Sequence, residues 1–330
     1  MSFDVRAATD ADRPEVVSLI REMIPGVDAN TRVSWLYERN PAGRALTWIA
    51  VENGEVAGCT SFFPFRLWLD GEAVLGALGG DGYVRPKFRR RGLGGVLHDA
   101  SRQAMTALGI GCMYGAPGAM NLTPLKHGGS REVGHVARWL RPLRGSAIGI
   151  KSPFLDRLVR GILRPRFAPS LEPMLSNDPR VDEVWRKVAP TIRLGAIRDS
   201  AFYTWRFLDA PAHREPAFVI LRGGDPIGAC SLEVMGGGKS VRIVDLVTSP
   251  GSWNSSLSGI ARHVAESNAR TVDIKLMAID GERRQMWRAG FTKRDSKPFL
   301  VMIPEQGDPR FLDPQRWFYC GADSDLDSLE

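Results

Sequence analysis

The sequence falls on itself when shifted by 170 positions. WLYERNPAGRALTWIAVENGEVAG at 35–58 then lies over WRFLDAPAHREPAFVILRGGDPIG at 205–228 without a gap. Six of the 24 pairs are identical: Trp35/Trp205, Pro41/Pro211, Ala42/Ala212, Arg44/Arg214, Gly54/Gly224 and Gly58/Gly228. Chance gives about one or two at ordinary residue frequencies. Apolar strand positions also match (Trp48/Phe218, Ile49/Val219, Val51/Leu221), as does the glycine turn that follows them. A turn repeated at a fixed offset marks a duplicated structural unit. The 330 residues are about twice a usual domain, as two copies require.

The first copy reads as β-α-β-β-β-α-β. FDVRA (3–7) is a short strand, and Thr9 and Asp10 cap a helix with Val16, Val17, Leu19, Ile20 and Met23 at helical spacing. Strands are expected over 46–52, 56–69 and 73–84, turning at Asn53-Gly54 and Asp70-Gly71, dipeptides suited to the positive φ of tight hairpins. A helix follows from Gly92 to about Ala107, and then a short buried strand over 110–114. The second copy shows the same order over 241–247, 257–267 and 271–277. Between the copies, 147–180 reads as a connector; its amphipathic stretch 153–163 fits either packing between domains or lying on anionic lipid.

Charge and cysteine usage narrow the class. Net charge is +7, a mild excess that favours an anionic ligand without the charge density of a nucleic-acid binder. Cys59, Cys112, Cys230 and Cys320 are far apart in sequence and form no zinc pattern, so no metal is expected. The N-terminus lacks the apolar run of a secretory leader, and no segment is apolar over a membrane-spanning length. A cytoplasmic protein is expected. The end of the chain carries Asp323, Asp325, Asp327 and Glu330 beside Trp317 and Phe318; it fits either a solvated acidic tail or a docked one.

The chemistry concentrates in YVRPKFRRRGLGGVL (83–97). Tyr83 and Val84 end a strand, five cations fall within 85–91, and Gly92, Gly94 and Gly95 open a helix. Glycines at a strand-to-helix turn let amides converge, and the helix N-terminus adds positive charge, which together suit a pyrophosphate. Neither the Rossmann fingerprint nor a Walker A loop is present.

Arg89-Arg90-Arg91-Gly92-Leu93-Gly94 resembles the R/Q-x-x-G-x-G/A signature of the GNAT superfamily of N-acetyltransferases, and Val84–Pro86 resembles the V-x-P before it. The resemblance runs well over 3–143, including Asn121 and Gly128-Gly129, and more weakly over 195–304, where WRAGF (287–291) precedes the last strand. It implies two tandem GNAT-like domains, each a mixed central sheet flanked by helices: 1–146 with the acetyl-CoA site, 181–304 degenerate, and an acidic tail over 305–330. The second copy has VTSPGSWNSSLSG (247–259) where the loop should be, with no arginine cluster. One cofactor site is therefore expected.

By resemblance, acetyl-CoA is held by Tyr83, Val84, Arg89, Arg90, Arg91, Gly92, Leu93, Gly94 and Gly95, with Asn121 on the pantetheine arm or the substrate. An amine of a small molecule or amino sugar then attacks the thioester, whose oxygen is held by a backbone N–H near Val84. Asp81 is the first candidate for general base. The family's usual acid, a tyrosine four residues before the glycine of the last helix, is replaced by Leu125 here, so Tyr114 is the substitute candidate. The alternative is a non-catalytic acyl-CoA-binding or scaffolding protein.

Overall fold

The computed structural model describes residues 3–144, 147, 169–211, 216–277 and 280–324. The first half runs β1 (Asp4–Ala7), α1 (Arg13–Met23), α2 (Ala29–Arg32), a π-helical turn Val33–Glu38, β2 (Leu46–Glu52), β3 (Glu55–Leu69), β4 (Glu72–Val84), α3 (Leu93–Ala104), β5 (Cys112–Gly115), α4 (Ala119–His127) and β6 (Arg131–Pro142). The second runs β7 (Ser170–Pro173), α5 (Pro179–Val188), β8 (Leu194–Ala196), α6 (Ser200–Tyr203), a π-helical turn Thr204–Leu208, β9 (Ala217–Arg222), β10 (Asp225–Met235), β11 (Ser240–Thr248), α7 (Trp253–Ala265), β12 (Thr271–Met277), α8 (Asp280–Arg288), β13 (Thr292–Met302) and β14 (Tyr319–Cys320).

Local patterning accounts for most of these elements. α1 buries Val16, Val17, Leu19 and Ile20, the helical stripe seen in the sequence. Both hairpin turns are left-handed where expected, at Asn53 (φ 52°) with Gly54 (φ 80°) and at Asp70 (φ 48°) with Gly71 (φ 104°). Leu93 and Leu97 of α3 pack with Trp48, Phe62 and Met113 on one face of the sheet. The other face carries the larger core, continuous from Leu19 and Ile49 to Val244 and Ile274.

The mixed sheets of the two halves, flanked by helices as expected, are joined edge to edge. The strands form one mixed sheet in the order β1-β2-β3-β4-β5-β13-β6-β12-β11-β10-β9-β7, with β14 and β8 paired off this path. The two closing strands are crossed over. β13 pairs β5 of the first half (Val301 opposite Tyr114), and β6 pairs β12 of the second (Trp139 opposite Ile274). β6 and β13 then pair with each other along most of their length. Each half would otherwise leave an unpaired edge at β5 or β12, and the crossing closes both with the chain's own strands.

The connector is also shorter than expected. Ser170–Pro173 is already a strand, antiparallel to β9, and α5 begins at Pro179. The amphipathic stretch 153–163 lies outside the described residues. The tail docks as far as Ser324: Trp317 and Cys320 are fully buried, and β14 pairs β12. Burial of Asp323 is made tolerable by Arg198, at 2.5 Å.

One pair of glycines 170 positions apart shares a backbone constraint. Gly58 and Gly228 lie where neighbouring strands press closest: a Cβ would sit 2.5 Å from the Tyr83 carbonyl oxygen in one case and 2.8 Å from that of Val247 in the other. Only glycine fits either approach.

Candidate active site

β4 and β5 run parallel from Gly76/Cys112 to Leu78/Tyr114 and then part, while β4 continues to Val84. Gly79 and Gly82 are exposed along the parted stretch. A cleft between two parallel strands, with unpaired strand edge on one wall, suits an extended ligand that can make strand-like hydrogen bonds.

The phosphate end of such a ligand has its cradle at the start of α3. Gly92 is left-handed (φ 75°) and caps the helix; Gly94 and Gly95 form its first turn. Among the described residues, the amides of Arg90, Gly92, Leu93 and Gly94 donate to no protein acceptor. A Cβ built on Gly94 or Gly95 would meet nothing within 4 Å, and neither residue has a positive φ. Neither packing nor backbone conformation therefore calls for glycine at 94 or 95, yet each glycine in a helix costs about 1 kcal/mol against alanine. Open amides, open space and a helix N-terminus together fit the close approach of a pyrophosphate.

The five cations of the loop are not equivalent. The Arg85 guanidinium is held by Glu22 at 3.0 Å and by the Val56 carbonyl at 2.7 Å. Lys87 pairs with Glu55 at 2.6 Å, and Arg91 with Glu52 at 2.9 Å while lying over the Phe3 ring. Arg89 donates to the Val84 carbonyl at 2.8 Å and stacks over Tyr83. Arg90 is exposed, left-handed (φ 63°) and has no side-chain partner among the described residues. The sequence shows a five-fold cationic patch; the structure leaves Arg89 and Arg90 without an acidic partner among the described residues, beside the open amides.

Asp81 sits at a bulge in β4. Cys59 pairs Tyr83 and Ser61 pairs Gly80, so Asp81 and Gly82 together oppose Thr60. Its carboxylate is buried and accepts from Arg32 at 2.8 and 3.1 Å and from the Tyr37 hydroxyl at 2.7 Å. Burial and the Asp81 charge raise the Tyr37 pKa well above its ordinary value, and the same two causes push the Cys59 thiol up to about 12. The sequence reading named Asp81 but missed Arg32 and Tyr37, whose separation of 49 and 44 positions left no local signal.

Tyr114 points into the large core. Its ring is packed against Phe65, Phe299, Trp317 and Tyr319, and its hydroxyl is buried without a hydrogen-bond partner among the described residues. Burial, then the Asp323 charge, raises its pKa well above the ordinary value. Asn121 lies on the exposed side of α4, and its side-chain amide has no partner among the described residues.

The second half lacks the cradle. Gly251 is left-handed ahead of α7 (φ 75°), but Trp253 in the first turn is buried against Phe318, and Gly259 is pressed by the Pro169 carbonyl. β11 and β12 part as β4 and β5 do, and β14 pairs β12 on the parted stretch, at Leu276 and Met277.

Comparison with known proteins agrees with this geometry. Residues 4–123 match the family model of the acetyltransferase (GNAT) domain. No curated protein matches the chain in sequence. Among solved structures, a GCN5-related N-acetyltransferase from Anabaena variabilis is similar at a TM-score of 0.67 and 19% identity, over 92% of this chain and 73% of that one. A probable N-acyltransferase of Enterococcus faecalis is similar at 0.69 and 12%, over the same shares. The Saccharomyces cerevisiae N-myristoyltransferase, solved with bound myristoyl-CoA, is similar at 0.57 and 12%, over 91% of this chain and 82% of that one. Residues 4–123 thus resemble a GNAT acetyltransferase domain, and the chain shares the fold of these structures. No helix among the described residues is long and apolar enough to cross a membrane.

Proposed function

We propose that the chain transfers the acetyl group of acetyl-CoA to the amine of a small molecule or amino sugar, using the cleft between β4 and β5. The observation that carries this reading is the cradle at α3: free amides and two glycines that neither packing nor φ requires. Arg90, Gly92, Leu93, Gly94 and Gly95 would hold the pyrophosphate, and Arg89, Arg91, Tyr83 and Val84 would line the arm that leads to the thioester. Bound acetyl-CoA supplies the activated acyl group. The Val84 region of β4 offers backbone N–H groups to the thioester oxygen as charge develops there. The amine must arrive neutral, since its ammonium form, with a pKa near 10, has no lone pair.

Tyr114 stands as the candidate acid on the resemblance alone; its hydroxyl lies in the core and would have to reach the cleft to protonate the thiolate. Asn121, exposed on α4, would contact the pantetheine arm or the acceptor. We read the second copy as shaping the substrate pocket or an interface, with no cofactor of its own. A cytoplasmic location belongs to the same reading and is supported by four free, buried cysteines.

Thiol release from acetyl-CoA in the presence of a panel of primary amines tests the reaction. Amine-dependent release, with the acetylated amine seen by mass spectrometry, supports it. Binding of acetyl-CoA with no release across the panel favours the second reading, a non-catalytic acyl-CoA-binding protein. The enclosure of Asp81 by Arg32 and Tyr37 is the feature that favours this second reading.

A further inference from the structure

Asp81 occupies the one backbone position in its stretch where glycine is least expendable. Its φ is 47°, the left-handed first position of a β-bulge, which costs an L-residue steric strain and is ordinarily given to glycine. Gly79, Gly80 and Gly82 surround it, none with a positive φ. The carboxylate is therefore kept against the backbone preference, and the structure shows what offsets it: both oxygens are taken by Arg32, and one also by Tyr37.

These partners come from the other wall of the fold. Arg32 ends α2 and Tyr37 belongs to the π-helical turn after it, so the clamp ties that wall to the strand that lines the cleft. The second half provides an internal comparison. There Asp245, next to the bulge of β11 and opposite Ser231, is fully buried and faces Arg198 at 3.4 Å. Ser231 is the repeat partner of Ser61, which faces Gly80 beside Asp81. The second half has no glycine cradle, yet it keeps a buried carboxylate facing an arginine beside its own bulge, at the position that answers to Gly80, one residue from Asp81. A buried carboxylate–arginine pair next to a bulge is thus found in a half with no cradle to serve.

We propose that Asp81 is a positioning residue and not the general base: with Arg32 and Tyr37 it locks the β4 bulge that aims the Gly82–Val84 backbone at the acyl-CoA thioester. The proposal rests on the acyl-CoA reading above. A proton acceptor needs a lone pair facing the amine, and here both carboxylate oxygens are engaged within the core.

The test is titration of acetyl-CoA into wild type, Asp81→Asn, Arg32→Met, Arg32→Lys and the Asp81→Asn/Arg32→Met double variant, at a temperature where each is fully folded by circular dichroism. The expected result is a Kd raised about tenfold in both Asp81→Asn and Arg32→Met, since small displacements at a binding strand have effects of this order. The double variant is no worse than either single one, and Arg32→Lys recovers part of the loss. Tyr37→Phe, which removes the hydrogen bond to Asp81 and the one accepted from Ser61 without changing charge, serves if the charge variants do not fold, with an expected rise of about threefold. A purely stabilising pair would lower Tm and leave these Kd values unchanged, which overturns the proposal. So would an unchanged Kd for Asp81→Asn joined to loss of amine-dependent thiol release, the signature of a base. Failure of the wild type to bind acetyl-CoA at all would instead remove the underlying acyl-CoA reading.

Discussion

Trp35 and Trp205 stack on each other with ring centroids 5.5 Å apart, and each donates its indole N–H to the other's backbone carbonyl, at 2.8 and 3.2 Å. They are also repeat partners, 170 positions apart. A contact in which residue i meets j as j meets i is the pattern of a two-fold interface, here within one chain. The two halves of the chain face each other across this pair.

Reciprocity makes the two tryptophans thermodynamically coupled. Trp35→Ala and Trp205→Ala should each cost about 3–5 kcal/mol in urea unfolding. The double variant should fall short of their sum by about 1–3 kcal/mol, because each single change already breaks the shared stack and one bond of the pair. Strict additivity would mean that the two residues act separately.

The docked end of the chain predicts a second stability effect. Arg198 is fully buried, between Asp323 at 2.5 Å and Asp245 at 3.4 Å. Asp323→Ala leaves the guanidinium with the more distant Asp245 as its carboxylate partner, and breaking a buried pair in this way costs about 3–5 kcal/mol. A solvated acidic tail would show no change in the urea midpoint.

His98 predicts the direction of a pH dependence. It lies against Gly128, where a Cβ would stand 2.5 Å from Nδ1, and neither ring nitrogen has a partner among the described residues. Burial, helped by the Arg102 charge and opposed by that of Asp99, lowers its pKa below the ordinary 6.5. The unfolded chain therefore binds the proton more readily, and stability present above pH 6.5 is lost as pH falls through the folded value. Tm measured from pH 7.5 to 5 should decline less steeply in His98→Gln than in the wild type. Parallel curves would show that another group governs this range.

Much of the first half was legible in the sequence because its signals are local. The Asn53-Gly54 and Asp70-Gly71 turns, the stripe of α1 and the boundaries of β2 follow from neighbours within a few residues. The crossing of β6 and β13 was not legible. A strand's periodicity says which face is buried but not which strand lies beside it, and Val301 finds Tyr114 across most of the chain. For the same reason the loop glycines could be read, while the acids that neutralise Arg85, Lys87 and Arg91, and the partners of Asp81, appeared only in three dimensions. The tail was ambiguous because Trp317 and the acidic residues point to opposite fates; burial against Tyr114 and Phe299 decides for docking.

The most direct measurement is calorimetric titration of acetyl-CoA into wild type and Gly94→Glu, with Tm recorded for both. The Cβ of residue 94 projects into open space, glutamate is the better helix former, and its charge at a helix N-terminus is favourable, so the variant should fold with an equal or higher Tm. The same carboxylate would occupy the place of the pyrophosphate. The account predicts one site per chain in the wild type, and a Kd weakened about a hundredfold or more in the variant, as loss of charge-assisted contacts implies. Undiminished binding by a stable Gly94→Glu protein would contradict it.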